Sequence, residues 1–291
     1  MPALYPQAER LGCSAEVGGC MAAELPWLEG GAYEYDGGLI LHGARLPEAM
    51  VVGEEAEIEL YWEAGEEMGG DYVVSTRVIV PYEAGWEKLG EANSFPGLGL
   101  NPTKGWEVGA VYRDEVVVVA EGALAGPTLA NVLVGVLGEE GEVGVEREGE
   151  VVGVPWVGAV VVRPREVLEV PGEGVLAEFG GWGVLRGAEW LETGEVVLWW
   201  ESWQEVAADW VLFMHVVDSN GEIVAQRDGR PNHGFSPTWI WEEGDVIKDV
   251  RHVPLEADWS VLIGFYRPES GERAPVQVGG EVQANGAYRL R

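Results

Sequence analysis

The chain states one pattern twice, and any fold it adopts must be one that each half can build for itself. Pro96-x-x-Gly99-x-x-Pro102-Thr103-x-x-Trp106-Glu107-x-Gly109-x-Val111-x-x-Asp114 recurs without a gap, at a constant offset of 135, as Pro231-x-x-Gly234-x-x-Pro237-Thr238-x-x-Trp241-Glu242-x-Gly244-x-Val246-x-x-Asp249. Nine of nineteen positions are identical, where chance gives about one, so this is an internal repeat. Upstream, Tyr61-Trp62-Glu63 and Asp71-Tyr72-Val73 answer Trp199-Trp200-Glu201 and Asp209-Trp210-Val211 at an offset of 138. The three-residue difference is one short loop. With 291 residues in all, each half is long enough for its own core.

Apolar residues alternate at period two, and turn residues interrupt the pattern at strand-length intervals, so the chain reads as β almost throughout. Ile58, Leu60 and Trp62 share one strand face, with acids on the other, and Val196, Leu198 and Trp200 keep the same phase. Residues 72–80 and 210–217 are nearly continuous apolar runs, as expected of central strands covered on both sides. Asp218-Ser219-Asn220-Gly221-Glu222 reads as a hairpin loop, with Asn-Gly in a type I′ turn. No segment holds a 3.6-residue period over three turns. The expected fold is all-β: two tandem antiparallel β-sandwiches of Ig-like or jelly-roll type, over residues 31–164 and 174–291, joined by an extended linker at 165–173. Residues 1–30 lie outside both copies. They form either an assembly arm or the holder of a first strand, since Ser14-Ala15-Glu16-Val17-Gly18-Gly19 is similar to Leu176-Ala177-Glu178-Phe179-Gly180-Gly181.

Fifty acids against eighteen Lys plus Arg give a net charge of −32, which argues against nucleic acid and anionic membranes, whose phosphates would be repelled. A solvated acidic coat that keeps a Trp-rich chain soluble accounts for the charge; binding of divalent cations, or life in a salty or acidic medium, are the alternatives. No stretch approaches the eighteen apolar residues of a membrane span. The two cysteines, Cys13 and Cys20, stand seven apart, a spacing that permits a small disulfide loop and with it an oxidising compartment. Leu11-Gly12-Cys13 has a lipoprotein-like look, but residues 1–10 contain Pro, Gln, Glu and Arg and no apolar signal core.

An active site is rarely copied intact into both halves of a chain, whereas folding determinants must be. Pro102, Thr103, Trp106, Gly109 and Asp114, with Pro237, Thr238, Trp241, Gly244 and Asp249, therefore read as scaffold: Pro fixes φ, Thr closes a turn, Gly takes a conformation others avoid, and Trp covers the core. Function is to be sought where the copies differ. Tyr61 becomes Trp199, and Gly65 and Lys104 become Trp203 and Trp239; exposed rings stack on the C–H faces of sugars, which makes these three candidates for carbohydrate binding. Packing under loops or between units is the alternative for the same rings. His42, His215, His233 and His252 show no His-Glu-x-x-His spacing, and there is no Gly-x-Ser-x-Gly elbow or phosphate loop. No two carboxylates are marked out as a glycosidase pair. Asp218, Asn220 and Asp228 supply oxygens for a calcium site, but a hairpin loop already explains the first two. No catalytic residue, metal or cofactor is expected.

The second copy, in Asp209-Trp210-Val211-Leu212-Phe213-Met214-His215-Val216-Val217-Asp218, Val224-Ala225-Gln226-Arg227-Asp228, Pro237-Thr238 and Gly264-Phe265-Tyr266, resembles a β-sandwich accessory module of Chloroflexota-type envelope proteins. That module is found after the membrane part of mannosyltransferase-like glycosyltransferases. The likeness covers about residues 175–278 well and the first copy more loosely, departing at residues 68–70 and 82–86. It implies an exported, surface-facing domain without catalysis of its own. The expected function is a non-catalytic extracellular or cell-surface structural or interaction protein, self-associating through sheet edges and the N-terminal arm, into filaments or with other envelope components. The alternative is glycan binding through Trp199, Trp203 and Trp239.

Overall fold

The structure, a computed structural model, describes residues 26–82, 85–172, 174–254 and 259–290, together with the backbone of residues 9–14. The described residues hold β-strands and short 3₁₀ turns and no α-helix. The chain divides into two compact units, one of Met1–Gly122 and Ala130–Val162, the other of Ala123–Leu129 and Arg163–Arg291. The strands of the first are β1 (Glu9–Ser14), β2 (Tyr33–Tyr35), β3 (Leu39–Arg45), β4 (Ala49–Val51), β5 (Glu55–Ala64), β6 (Val73–Tyr82), β7 (Gly85–Ser94), β8 (Ala110–Val119), β9 (Thr128–Gly138), β10 (Gly141–Glu142), β11 (Val145–Arg147), β12 (Glu150–Val151) and β13 (Trp156–Arg163). Those of the second are β14 (Ala177–Phe179), β15 (Gly183–Trp190), β16 (Glu195–Ser202), β17 (Val211–Val217), β18 (Ile223–Gln226), β19 (Val246–His252), β20 (Ser260–Tyr266), β21 (Val276–Val278), β22 (Glu281–Val282) and β23 (Tyr288–Arg289).

Each unit is a sandwich of two sheets. In the first the orders are β1-β8-β5-β3-β2-β11-β12 and β4-β13-β9-β6-β7, with β10 added on β9; in the second they are β19-β16-β15-β14-β21-β22 and β18-β17-β20-β23. Strand for strand this is one topology written twice. β8, β5, β3 and β2 answer β19, β16, β15 and β14, while β9, β6 and β7 answer β20, β17 and β18. β1, β4 and β10 have no counterpart among the described strands.

The alternation read from the sequence sets the faces. Ile58, Leu60 and Trp62 of β5, and Val196, Leu198 and Trp200 of β16, are all fully buried. In the second unit the edge of Phe265 on β20 meets Trp200 of β16 at 5.0 Å and Phe179 of β14 at 5.7 Å, which ties the two sheets together. Burying each such ring contributes about 1.5–3 kcal/mol. The first unit uses Tyr35 of β2 instead, whose hydroxyl crosses the core to donate to the carbonyl of Val134 on β9 at 2.5 Å. Burial pushes that hydroxyl's pKa well above its ordinary value.

β3 and β15 carry the same bulge, after Leu41 and after Leu185, and a glycine completes it in both. The reason is steric. A Cβ on Gly43 would lie 2.4 Å from the carbonyl oxygen of Pro26, and one on Gly187 would lie 2.5 Å from the ring of Pro171. In each unit the segment leading into the sandwich crosses the bulged strand at this point. Leu28 donates to the carbonyl of His42, and Ala44 to that of Pro26.

One expectation is corrected. The loop at Asp218 is not a type I′ turn: Gly221 has φ +82° but Asn220 does not enter the left-handed region. The bonds Gly221 N to Asp218 O and Asp218 N to Glu222 O instead make a three-residue loop ending in a glycine bulge. Asp218 selects it, because its carboxylate accepts the amides of Asn220 and Glu222, both at 2.9 Å. The place that β14 holds in the second unit is held in the first by β2, which pairs with β3 and β11; of the stretch Ser14–Gly19, residues 15–19 lie outside the described residues. The arm contributes β1, which runs antiparallel to β8 with Leu11 opposite Val111.

Candidate functional site

The repeated motif is spent on the same task in both units. Thr103 Oγ1 accepts the amide of Tyr72 at 3.0 Å and donates to the carbonyl of Gly70 at 3.2 Å; Thr238 Oγ1 accepts the amide of Trp210 and donates to the carbonyl of Ala208, each at 2.8 Å. Pro102 and Pro237 open the 3₁₀ turns that these threonines begin. Trp106 and Trp241 are buried, with ring nitrogens donating to the carbonyls of Asn101 and Ser236. Gly109 and Gly244, at φ +75° and +87°, turn the chain so that their amides reach Ala64 and Ser202. Asp114 accepts the amide of Gly97 at 2.8 Å and Asp249 that of Asn232 at 3.0 Å, so each closes the turn before it. Asp114 is 1% and Asp249 0% exposed. Neither carboxylate can meet a substrate.

The three tryptophans proposed for glycans sit on different elements of the second unit. Trp203 and Trp239 are 40% and 45% exposed, on the loop after β16 and in a 3₁₀ turn, while Trp199 is half-buried on the outer face of β16 opposite Gly187 and Lys248. No ring contact joins any two of them. Asp218 holds its own turn, whereas Asp228 lies beyond β18 and accepts the amide of Met214. The described residues contain no group of three or more side chains suited to a metal ion. Cys20 and the side chain of Cys13 lie outside the described residues, so the Cys13–Cys20 bridge does too.

A concave site appears where sequence reasoning did not place one, on the outer face of the β9-β6-β7 sheet of the first unit, where a trough encloses about 270 Å³. Trp86 of β7, 57% exposed, forms one wall with Lys88 beside it. Val154 and Pro155 form the other; the carbonyl of Pro155 accepts the amide of Val134 on β9, which fixes that wall to the sheet. Ile79 of β6 and Leu133 of β9 make an apolar floor, continued by Gly135. Arg77 reaches across, 3.2 Å from Glu142 and 3.4 Å from Glu91, with its Nε donating to Ser75. Lys88 also bonds Glu91. That bond, the largest cause, with Arg77 adding its charge, holds the Glu91 carboxyl below the usual carboxylate range.

The copies differ across the strand from the floor glycine. Ser75 stands opposite Gly135, and its counterpart Phe213 stands opposite Gly264. The Phe213 ring lies so close over Gly264 that a Cβ there would be 2.5 Å from it, and Arg273 covers the ring at 4.4 Å. In the first unit the place over Gly135 is taken by the Glu142 carboxylate, with Arg77 beside it, so a polar pair stands where the second unit has a ring.

No helix among the described residues is long and apolar enough to cross a membrane. No protein-family model and no curated protein matches the chain.

Proposed function

We propose that this is a non-catalytic interaction protein of the cell surface, in which one sandwich scaffold is used twice and the first copy carries the contact face. The observation that carries the reading is the fate of the polar residues the copies share: Thr103, Asp114, Thr238 and Asp249 are buried and hold turns. What the copies do not share is an open trough. Glu91, bonded to the trough's Lys88, is not suited to be a glycosidase acid, which needs a raised pKa, because its carboxyl is shifted the other way. Placement at the cell surface rests on the resemblance of about residues 175–278 to envelope modules and on the net charge of −32. Cosedimentation of the purified chain with isolated bacterial envelopes, beside assays on chromogenic glycosides, tests it. Retention in the pellet without hydrolysis is expected; hydrolysis above the uncatalysed rate overturns the reading.

A second reading, self-assembly, is favoured by β1. A strand from the arm closes the sheet edge at β8, and the same pairing made between chains would link copies. Light scattering across a concentration series separates a monomer from an assembling chain.

A further inference from the structure

We infer that the trough on the β9-β6-β7 face of the first unit binds a neutral saccharide, with Trp86 as the stacking platform and Arg77, Lys88 and Glu142 as hydrogen-bonding partners of its hydroxyls. The inference rests on the proposed function and gives it a ligand class.

Charge decides first. Arg77 and Lys88 are balanced by Glu91 and Glu142, so the trough offers no net charge to an ion. An anion would approach against a net charge of −32, and a cation would meet Arg77 and Lys88. A neutral ligand meets neither penalty. Chemistry narrows it further. An aromatic wall beside an apolar floor, next to donors and acceptors, matches a pyranose ring, which presents C–H on its faces and hydroxyls at its rim. A peptide adding as a strand would need a free edge, which this sheet offers at β7 and not on the trough floor, where β6 is paired with β7 and β9, and β9 with β6 and β13. At about 270 Å³ the space is just below the roughly 300–1,000 Å³ of pockets that enclose a whole ligand. A glycan would therefore lie across the sheet, with one or two rings in contact.

The second unit serves as an internal control. Its equivalent face has the Phe213 ring over Gly264, where the first has the buried Ser75 opposite Gly135 and the Glu142 carboxylate over that glycine. Ser75→Phe should displace Glu142 and Arg77 from their places over Gly135 and beside Ser75, and so remove two of the polar partners, by a ring packing that the fold already uses at Phe213. Trp86→Ala removes the platform from a largely exposed position and leaves the core intact.

The test is a printed array of neutral and uronic-acid glycans probed with the full chain, then titration calorimetry of the best-bound neutral oligosaccharide. Trp86→Ala and Ser75→Phe are each expected to weaken binding at least about tenfold, while Trp199→Ala leaves it unchanged; circular dichroism confirms that each variant is folded. No binding to neutral glycans, a preference for uronic acids, full binding by Trp86→Ala, or loss in Trp199→Ala would each overturn the inference. Failure of the broader function looks different: a chain that binds no glycan yet cosediments with envelopes leaves the interaction role standing, whereas glycoside hydrolysis removes it.

Discussion

The Nε of Arg251 lies 2.9 Å from Oδ2 of Asp249, in a pair whose side chains are 10% and 0% exposed. The same guanidinium donates to the carbonyls of Arg227, Gly229 and Arg230, so one side chain gathers the loop after β18 around the motif carboxylate. In the first unit the position two residues after the motif aspartate is Val116. There Asp114 Oδ2 is buried without a hydrogen-bond partner.

That difference makes the first unit pH-dependent. Burial, the largest cause, pushes the Asp114 carboxyl up to about 6 from 3.8, with Glu115 adding to it and the Gly97 amide opposing. Between those values the folded chain holds a proton that the unfolded chain has released, so stability falls as pH rises from about 4 to about 6 and is level beyond. The span is about 3 kcal/mol. Urea unfolding at pH 4, 5, 6 and 7 should show it, and Asp114→Asn should flatten the profile; an unchanged slope in that variant would assign it to another group.

In the second unit, Arg251→Met should leave Asp249 as a buried charge without its partner, at a cost of about 3–5 kcal/mol. The double variant Arg251→Met, Asp249→Asn should recover part of the loss. Thermal unfolding of the wild type, Arg251→Met, Asp249→Asn and the double variant measures the coupling, and strict additivity would show that Arg251 acts only through the carbonyls.

The hydroxyls of Thr103 and Thr238 each join an amide to a carbonyl across the same loop. Replacement by the isosteric valine keeps the shape and leaves both groups unpaired, at about 1–3 kcal/mol. Thr238→Val should be the more costly, since the Trp210 amide is buried and that of Tyr72 only partly so. Equal losses would mean that burial of the donor does not set the cost.

Gly43→Ala should push the lead-in segment off β3, because the added carbon meets backbone, the Pro26 carbonyl, at 2.4 Å. Amide exchange of Leu28 and Ala44, both bonded in that crossing, should speed up in the variant. Gly187→Ala meets the Pro171 ring, which can pucker aside, and should change exchange less.

Much of this architecture is legible in the sequence because duplication separates what folding needs from what varies. Period-two alternation gives β5 and β16 their faces, and the repeated Pro-Thr-x-x-Trp segment marks the loops that Thr103 and Thr238 close. The trough is not legible in this way. Trp86 falls where the two copies no longer align, and Gly135 and Gly264 look equivalent until Ser75 and Phe213 are seen across the strand from them. Pairing between distant residues is a property of register, which a linear sequence does not display. The Asn220-Gly221 dipeptide misled for a local reason: the Asp218 side chain, two residues ahead, imposed its own turn.

Phe213 has a consequence for valency. On the binding inferred for the trough, the second unit's equivalent face, where Phe213 and Arg273 cover Gly264, adds no second site, so a single molecule would engage a polymer at one point and not bridge two. Avidity would then come from bringing several chains together, and on the self-assembly reading the edge at β8, with the strand β1 that covers it, would set the strength of attachment.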